Sequence, residues 1–225
     1  MKNGIYTITK FTALDYPDHL SAIIWFAGCN MRCSYCYNPD IVFGHGKILE
    51  EELFSFLESR IGLLEGVVLS GGECTLYDNI EEICKKIKSL GFKIKIDTNG
   101  TNPDTLISLI KQNLVDYIAL DFKAPEYKFK EITGNKNFEM FLKSLTYLIE
   151  AKFKFEVRTT VHSELLNEED IQWIINLLEK VGYSGTYYIQ NFRDNSITIG
   201  ELENQKRRIN KDFFSEKFKI ELRNF

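Results

Sequence analysis

The sequence predicts an α/β fold, a partial, open TIM-type barrel of about six βα units. Three observations carry this. Short β-rich apolar runs alternate with amphipathic helical stretches along the whole chain. That alternation is the pattern of βαβ units, whose right-handed crossovers give a parallel sheet covered by helices. And 225 residues fall short of the ~250 that a closed eight-unit barrel takes. An open doubly wound sheet shares the same periodicity, and the pattern alone does not separate the two.

The elements follow in order. The strand candidates are "LSAIIWFAG" (Leu20 to Gly28), "GVVLS" (Gly66 to Ser70), "KIKID" (Lys93 to Asp97), "YIALD" (Tyr117 to Asp121), "KFEVRTTV" (Lys154 to Val161) and "TYYIQ" (Thr186 to Gln190). Between them lie "ILEEELFSFLESR", "NIEEICKKIKSLG", "NPDTLISLIKQN", "NFEMFLKSLTYLIEA" and "NEEDIQWIINLLEKVG". Several of these begin at Asn or an acidic first turn, and two end at Gly, the usual helix boundary signals. No linker or low-complexity segment interrupts residues 1–225, so a single domain is expected.

Composition narrows the function classes. Lys and Arg total 28 against 32 Asp and Glu, a formal net charge of −4 with the two signs interspersed, which argues against a nucleic-acid-binding face. No apolar run approaches the ~20 residues that span a bilayer, and the N-terminal stretch has no signal-peptide pattern. The expectation is a cytoplasmic protein without membrane or nucleic-acid partners. Five cysteines, an odd number in a chain without secretory marks, fit metal or redox chemistry better than a disulfide framework.

Both architectures put their chemistry at the C-terminal ends of the strands, and the unusual residues fall there. The first run leads into three cysteines, the second into "SGGECT", the third into "DTNG", the fourth into "DFKAP", the fifth into "RTTVH" and the sixth into "QNF". Gly71 and Gly72 lack Cβ atoms, which permits close backbone approach, and Glu73 offers an acceptor. "DTNG" reads either as an Asx turn with Gly100 left-handed or as a ligand-facing rim with Asp97, Thr98 and Asn99. Asp121 and Lys123 form either a surface ion pair or a ligand contact, and Asp97 with Asp121 would suit a small cation. Arg158 breaks an apolar strand and needs a partner: a ligand carboxylate, held in bidentate fashion, or an ion pair with Glu156 or Asp121. The three histidines, His19, His45 and His162, have no spacing that suggests a site.

The densest signal is "FAGCNMRCSYCYNP", which places Cys29, Cys33 and Cys36 within eight residues. A closed structural zinc site wants four ligands, and the fourth would have to come from His45, Cys74 or Cys84. A four-cysteine iron-sulfur cluster would likewise be complete. Three close thiolates suit a cubane with one iron left open, as catalytic zinc keeps an open position.

"CNMRCSYC", a C-x3-C-x2-C motif with the aromatic Tyr35 before its last cysteine, followed after the next strand by "SGGE", resembles the radical S-adenosylmethionine enzymes. The resemblance implies the radical SAM fold. It implies that Cys29, Cys33 and Cys36 hold a four-iron four-sulfur (4Fe-4S) cluster, and that S-adenosylmethionine chelates the open iron and is reductively cleaved to a 5′-deoxyadenosyl radical. It further implies that Tyr35, Gly71, Gly72, Glu73, Asp97, Asn99, Asp121, Lys123 and Arg158 line the cofactor, with Gly71 to Glu73 around its ammonium group. On this view, bulk at Gly72 should weaken cofactor binding while sparing the cluster.

Nearly the whole chain resembles one subgroup, the activating enzymes of glycyl radical enzymes, and within it the short activators of anaerobic ribonucleoside-triphosphate reductase. The stretches behind this are "TITKFTALDYPDHLSAIIWFAGCNMRCSYCYNPDIV", "SGGECTL", "GFKIKIDTNG", "VDYIALDFKAP", "FEVRTTV" and "YYIQNF". The implied partners are a glycyl radical enzyme and a low-potential electron donor such as flavodoxin or ferredoxin. Two positions depart from the subgroup pattern: Tyr37 stands where activators often have His, and Cys74 where they often have Pro. Three alternatives share parts of the signal: a short radical enzyme acting on a small molecule, such as 7-carboxy-7-deazaguanine synthase, a zinc-binding module, and an electron-transfer protein. The C-terminal tail is expected to cover a sheet edge.

Overall fold

The computed structural model describes residues 4–225. They divide into two compact units. One runs to Asn30 and includes Asp40–Thr98 and Asn102–Ala119; the other comprises Met31–Pro39, Asn99–Thr101 and Leu120–Phe225.

In the first unit, β1 (Ile5–Thr12) pairs antiparallel with β2 (Ser21–Phe26), Ile8 opposite Ile24. β2 is near-continuously apolar and buried on both faces, as a strand inside a parallel sheet must be, and it pairs in parallel with β3 (Gly66–Gly71) along its whole length. β3 in turn pairs in parallel with β4 (Lys93–Thr98). A short α1 (Pro39–Val42) and α2 (Glu50–Glu58) follow β2. At the start of α2 the Glu52 side chain accepts from the Leu49 N–H at 2.8 Å, and three glutamates in the first turn favour the positive end of the helix dipole. The helix α3 (Ile80–Ser89) buries Ile80, Ile83, Cys84 and Ile87, one face at helical spacing. α4 (Pro103–Lys111) opens on a proline at its first position, where the missing N–H costs nothing.

β5 (Tyr117–Asp121) begins in the first unit and ends in the second. The second unit continues with α5 (Glu126–Thr133), closed by Gly134 at φ +69°, and α6 (Phe138–Glu150). Then come β6 (Phe155–Val161), α7 (Glu168–Lys180), β7 (Thr186–Asn191) and β8 (Lys219–Arg223). α7 carries a reciprocal cap, Asn167 accepting from the Asp170 N–H and Asp170 from the Asn167 N–H. β6, β7 and β8 are parallel neighbours, and strand order in the sheet follows chain order from β1 to β8.

All six expected strands form, at or close to their expected limits. They are β2 to β7, the six-membered βα series that was expected, and two further strands flank it. β1 is antiparallel and belongs to no βα unit. β8 is drawn from the C-terminal tail, which covers the β7 edge by pairing with it, Tyr187 opposite Ile220. Among the described residues no helix is long and apolar enough to cross a membrane.

Candidate cofactor site

The first unit holds the glycine pair and the first cysteine. Gly71 closes β3 at φ +123°, a conformation L-residues rarely adopt, and a Cβ built on it would lie 2.3 Å from the Phe26 carbonyl oxygen. A Cβ on Gly72 would lie 2.0 Å from the Gly28 carbonyl oxygen and 3.2 Å from Cys29 Cβ. The backbone that these glycines admit is therefore the protein's own, the end of β2 as it runs into Cys29. Two hydrogen bonds lock it there, Gly72 N–H to Phe26 O at 2.8 Å and Glu73 N–H to Gly28 O at 2.9 Å. Bulk at Gly72 was expected to leave the surroundings of the cysteines undisturbed, but a side chain there strikes Cys29 and the carbonyl before it.

Glu73 is 2% exposed. Its Oε1 accepts from the Thr75 N–H at 3.2 Å, the Thr75 hydroxyl at 2.6 Å and the Thr98 hydroxyl at 2.8 Å. A buried carboxylate needs such donors, and these fix it between β3 and β4. Asp97 is bound on the same unit: the Ser70 hydroxyl donates to Oδ2 at 3.1 Å, and Lys95 Nζ lies 2.5 Å from Oδ1. Lys95 is 2% exposed, and sequence reasoning missed it. In "KIKID" it alternates with isoleucines as a solvent-facing lysine does, and only its coincidence in phase with Asp97 hinted otherwise.

The second unit holds Cys33, Tyr35 and Cys36 on a loop pinned to α5, with Arg32 N–H donating to Thr133 O at 2.7 Å and Ser34 N–H to Ile132 O at 3.3 Å. Within the loop Cys36 N–H closes a turn onto Cys33 O at 3.0 Å. Tyr35 is buried, and its hydroxyl donates to the Lys123 carbonyl at 3.1 Å, tying the loop to the end of β5. Burial, and then the negative charge of neighbouring Cys33, raises its pKa well above the usual phenol range. Burial pushes the Cys33 thiol up to about 11, against the opposing pull of the Lys123 ammonium.

Asp121 stands between two cations, Lys123 Nζ at 2.9 Å and Arg158 Nε at 2.9 Å. Burial pushes its carboxyl up, but Arg158 and then Lys123 outweigh that and bring it down to about 2. Of the two ion-pair partners expected for Arg158, Asp121 makes the hydrogen bond, and Glu156 lies at 3.9 Å. The small cation considered for Asp97 and Asp121 thus finds each carboxylate already matched with an ammonium or guanidinium. Asn99 closes the Asx turn, its Oδ1 accepting from the Thr101 N–H at 2.9 Å and the Thr101 hydroxyl at 2.6 Å, and Gly100 is left-handed at φ +72°.

Cys74 and Cys84 are both fully buried. Cys74 Sγ faces the carbonyls of Leu69 and Asp97. His162 packs edge-on against Phe192 and bonds the Glu203 carbonyl, while His19 contacts Glu65 and Lys93.

A model of the radical SAM superfamily matches residues 23–179, and the chain belongs to that superfamily, whose members use a 4Fe-4S cluster and S-adenosylmethionine. Among its relatives, a Methanocaldococcus jannaschii protein named as a glycyl-radical enzyme activating enzyme is 35% identical over 199 residues, covering 85% of this chain and 81% of that one. The pyruvate formate-lyase-activating enzyme of Clostridium pasteurianum is 28% identical over 188 residues, covering 79% and 76%. The crystal structure of SuiB from Streptococcus suis aligns with a TM-score of 0.64 at 18% identity, covering 81% of this chain and 41% of SuiB. At that identity the likeness concerns the fold, and this chain spans about two-fifths of SuiB.

The residues present suit the family's cofactors by donor chemistry. None of the five cysteines is in a disulfide, and thiolates are the ligands that iron-sulfur clusters take. The Gly71–Gly72 turn, closed against the backbone at Cys29, leaves no volume for a side chain there. Among the described residues no three His, Cys, Asp or Glu side chains gather as a cage for a single ion; cubane ligands each bind a different iron and stand wider than the ligands of one ion.

Proposed function

We propose that this protein is a radical SAM activase that generates a glycyl radical on a partner enzyme, anaerobic ribonucleoside-triphosphate reductase. The observation that carries the reading is the 35% identity over most of both chains to a relative named for glycyl-radical enzyme activation, together with the C-x3-C-x2-C spacing of Cys29, Cys33 and Cys36. Those three thiolates would hold the cluster, which with S-adenosylmethionine supplies a 5′-deoxyadenosyl radical when bound and reduced. Gly71 and Gly72 would keep the chain beside Cys29 close to the sheet. Glu73 and Asp97, already oriented by Thr98, Ser70 and Lys95, would present fixed acceptors to the cofactor's ammonium and ribose hydroxyls. Tyr35, Asn99, Asp121, Lys123 and Arg158 would complete the lining, and flavodoxin or ferredoxin would deliver the electron.

The test is to incubate the anaerobically reconstituted protein with S-adenosylmethionine and reductant, with and without anaerobic ribonucleotide reductase from the same source. Formation of 5′-deoxyadenosine together with a glycyl radical signal on the reductase, and hydrogen transfer from its labelled glycine, is the expected result. Turnover of a 7-deazaguanine precursor with no glycyl radical would overturn it in favour of 7-carboxy-7-deazaguanine synthase chemistry.

A further inference from the structure

The chain after β7 returns to the cysteine loop. Ile199 N–H donates to the Cys36 carbonyl at 3.1 Å and Gly200 N–H to the Ser34 carbonyl at 2.9 Å. Both bonds go to backbone carbonyls of the loop whose Arg32 and Ser34 amides bond α5. The loop backbone is thus held by two segments, α5 and the chain after β7. The approach is close: a Cβ on Gly200 would lie 2.6 Å from Ser34 Cβ, 2.9 Å from Ser34 Cα and 3.0 Å from Ser34 O, so only glycine allows it.

The other anchor of this segment is Tyr37, one of the two positions that depart from the subgroup pattern. Its ring stacks on Phe192, centroids 5.3 Å apart at 21°, and its hydroxyl accepts the Arg193 N–H at 2.9 Å. Between the anchors the segment is braced against residues 204–208. Asp194 accepts from Gln205 N–H and from Arg208, and Asn195 and Asn204 bond each other reciprocally.

We propose that residues 192–200 form a strap that positions the cysteine loop, with Tyr37 and Gly200 as its positioning residues, and that this strap shields the Cys36 side of the iron-sulfur cluster from solvent. The proposal rests on Cys33 and Cys36 being cluster ligands. Its physical basis is that solvent access and the outer hydrogen bonds of the ligand loop control both the potential and the lability of such a cluster. A loop clamped by one segment only would open locally far more often than one clamped by two.

The experiment compares Gly200→Ala, Tyr37→Ala and Tyr37→Phe with the parent, and uses Ile197→Ser, at a position 82% exposed, as a control. Three quantities are read: amide hydrogen exchange at Ser34, Cys36 and Ile199 in the cluster-free protein, the rate of cluster bleaching in air, and the cluster midpoint potential. Gly200→Ala and Tyr37→Ala should bleach about tenfold faster, the factor that corresponds to about 1.4 kcal/mol of lost clamping. The three amides should exchange faster in the same proportion and the potential should shift, while the cluster-free melting temperature falls by no more than the roughly 3–6 °C that such a loss gives in a chain of this size. Tyr37→Phe, which keeps the stack and loses the acceptor, should fall between, and Ile197→Ser should match the parent. Unchanged exchange in both alanine variants overturns the strap. Faster exchange with unchanged bleaching and potential overturns its shielding of the cluster. A parent protein that assembles no cluster overturns the ligand reading, and the exchange measurement then decides the strap by itself.

Discussion

Replacing Gly72 with alanine is expected to damage both the fold and iron loading. The new Cβ would stand 2.0 Å from the Gly28 carbonyl oxygen, about 1.4 Å short of ordinary contact at 3.4 Å. The obstacle is backbone at a strand end, so it cannot swing aside as a side chain would. Relief requires β3 to part from β2, at the expense of the bonds from Gly72 N–H to Phe26 O and from Glu73 N–H to Gly28 O. Two hydrogen bonds at about 0.5–1.5 kcal/mol each, with about 1–3 kcal/mol for overpacking, give a loss of about 2–6 kcal/mol. That is a large part of the roughly 5–15 kcal/mol that stabilises a domain, and it should lower Tm by at least about 4 °C. Because Cys29 Cβ lies 3.2 Å from the same point, iron bound per chain after anaerobic reconstitution should fall too. Thermal melting followed by circular dichroism, and iron quantification, are the assays. Full iron content at an unchanged Tm would refute the reasoning.

Three further outcomes are expected. Alanine at Cys29, Cys33 or Cys36 should abolish the iron-sulfur absorbance, since a cubane on three thiolates has no spare ligand, whereas Cys84→Ala should keep it; loss of absorbance in Cys84→Ala would show the ligand set to be wrong. Lys95→Met leaves the Asp97 carboxylate without its ammonium. Breaking a buried pair costs about 3–5 kcal/mol, and the lower end applies because Asp97 keeps 17% of its side chain exposed; urea denaturation should show Lys95→Met/Asp97→Leu to be more stable than Lys95→Met alone, and a double variant that is no better would sink the pairing argument. Hydrogen bonds from Arg207 and then from the Asn210 N–H hold Glu168 down at about 2, below its ordinary 4.5. A depressed carboxyl pKa contributes stability that is present above 4.5 and lost as pH falls through about 2. Both side chains are more than a third or nearly so exposed, so the effect is small and screened by salt; Arg207→Ala should flatten the stability curve within that window, and identical curves would exclude the linkage.

The sequence made the interior of the fold legible and its margins illegible, for physical reasons. β2, β3 and β5 are buried on both faces, and burial demands the continuous apolar runs by which they were recognised. β1 shows only Ile5 fully buried, and its "YTITKFT" alternation leaves half the strand near solvent. β8 buries no residue fully, so its "KIELR" carries no apolar signature. α5 is eight residues between Pro125 and Gly134, too short to display helical periodicity. In the site, the cysteine spacing was readable because it is local. The ammonium on Asp97 and the strap on Cys36 were not, because the first requires the far face of β4 to be covered and the second joins residues distant in the chain. Arg158 was readable as needing a partner, but the choice of Asp121 over Glu156 is a matter of geometry alone.

The burial of Cys74 and Cys84 gives the protein a built-in separation of thiol reactivities. Burial pushes Cys84 up to about 12 and raises Cys74 well above the usual thiol range, so at neutral pH almost none of either is thiolate, the form that alkylating reagents attack. Only Cys29 and Cys36 keep appreciable exposure. Brief iodoacetamide labelling of the native, metal-free protein therefore marks Cys29 and Cys36 and leaves Cys74 and Cys84 untouched, and mass spectrometry of the labelled peptides separates the two groups.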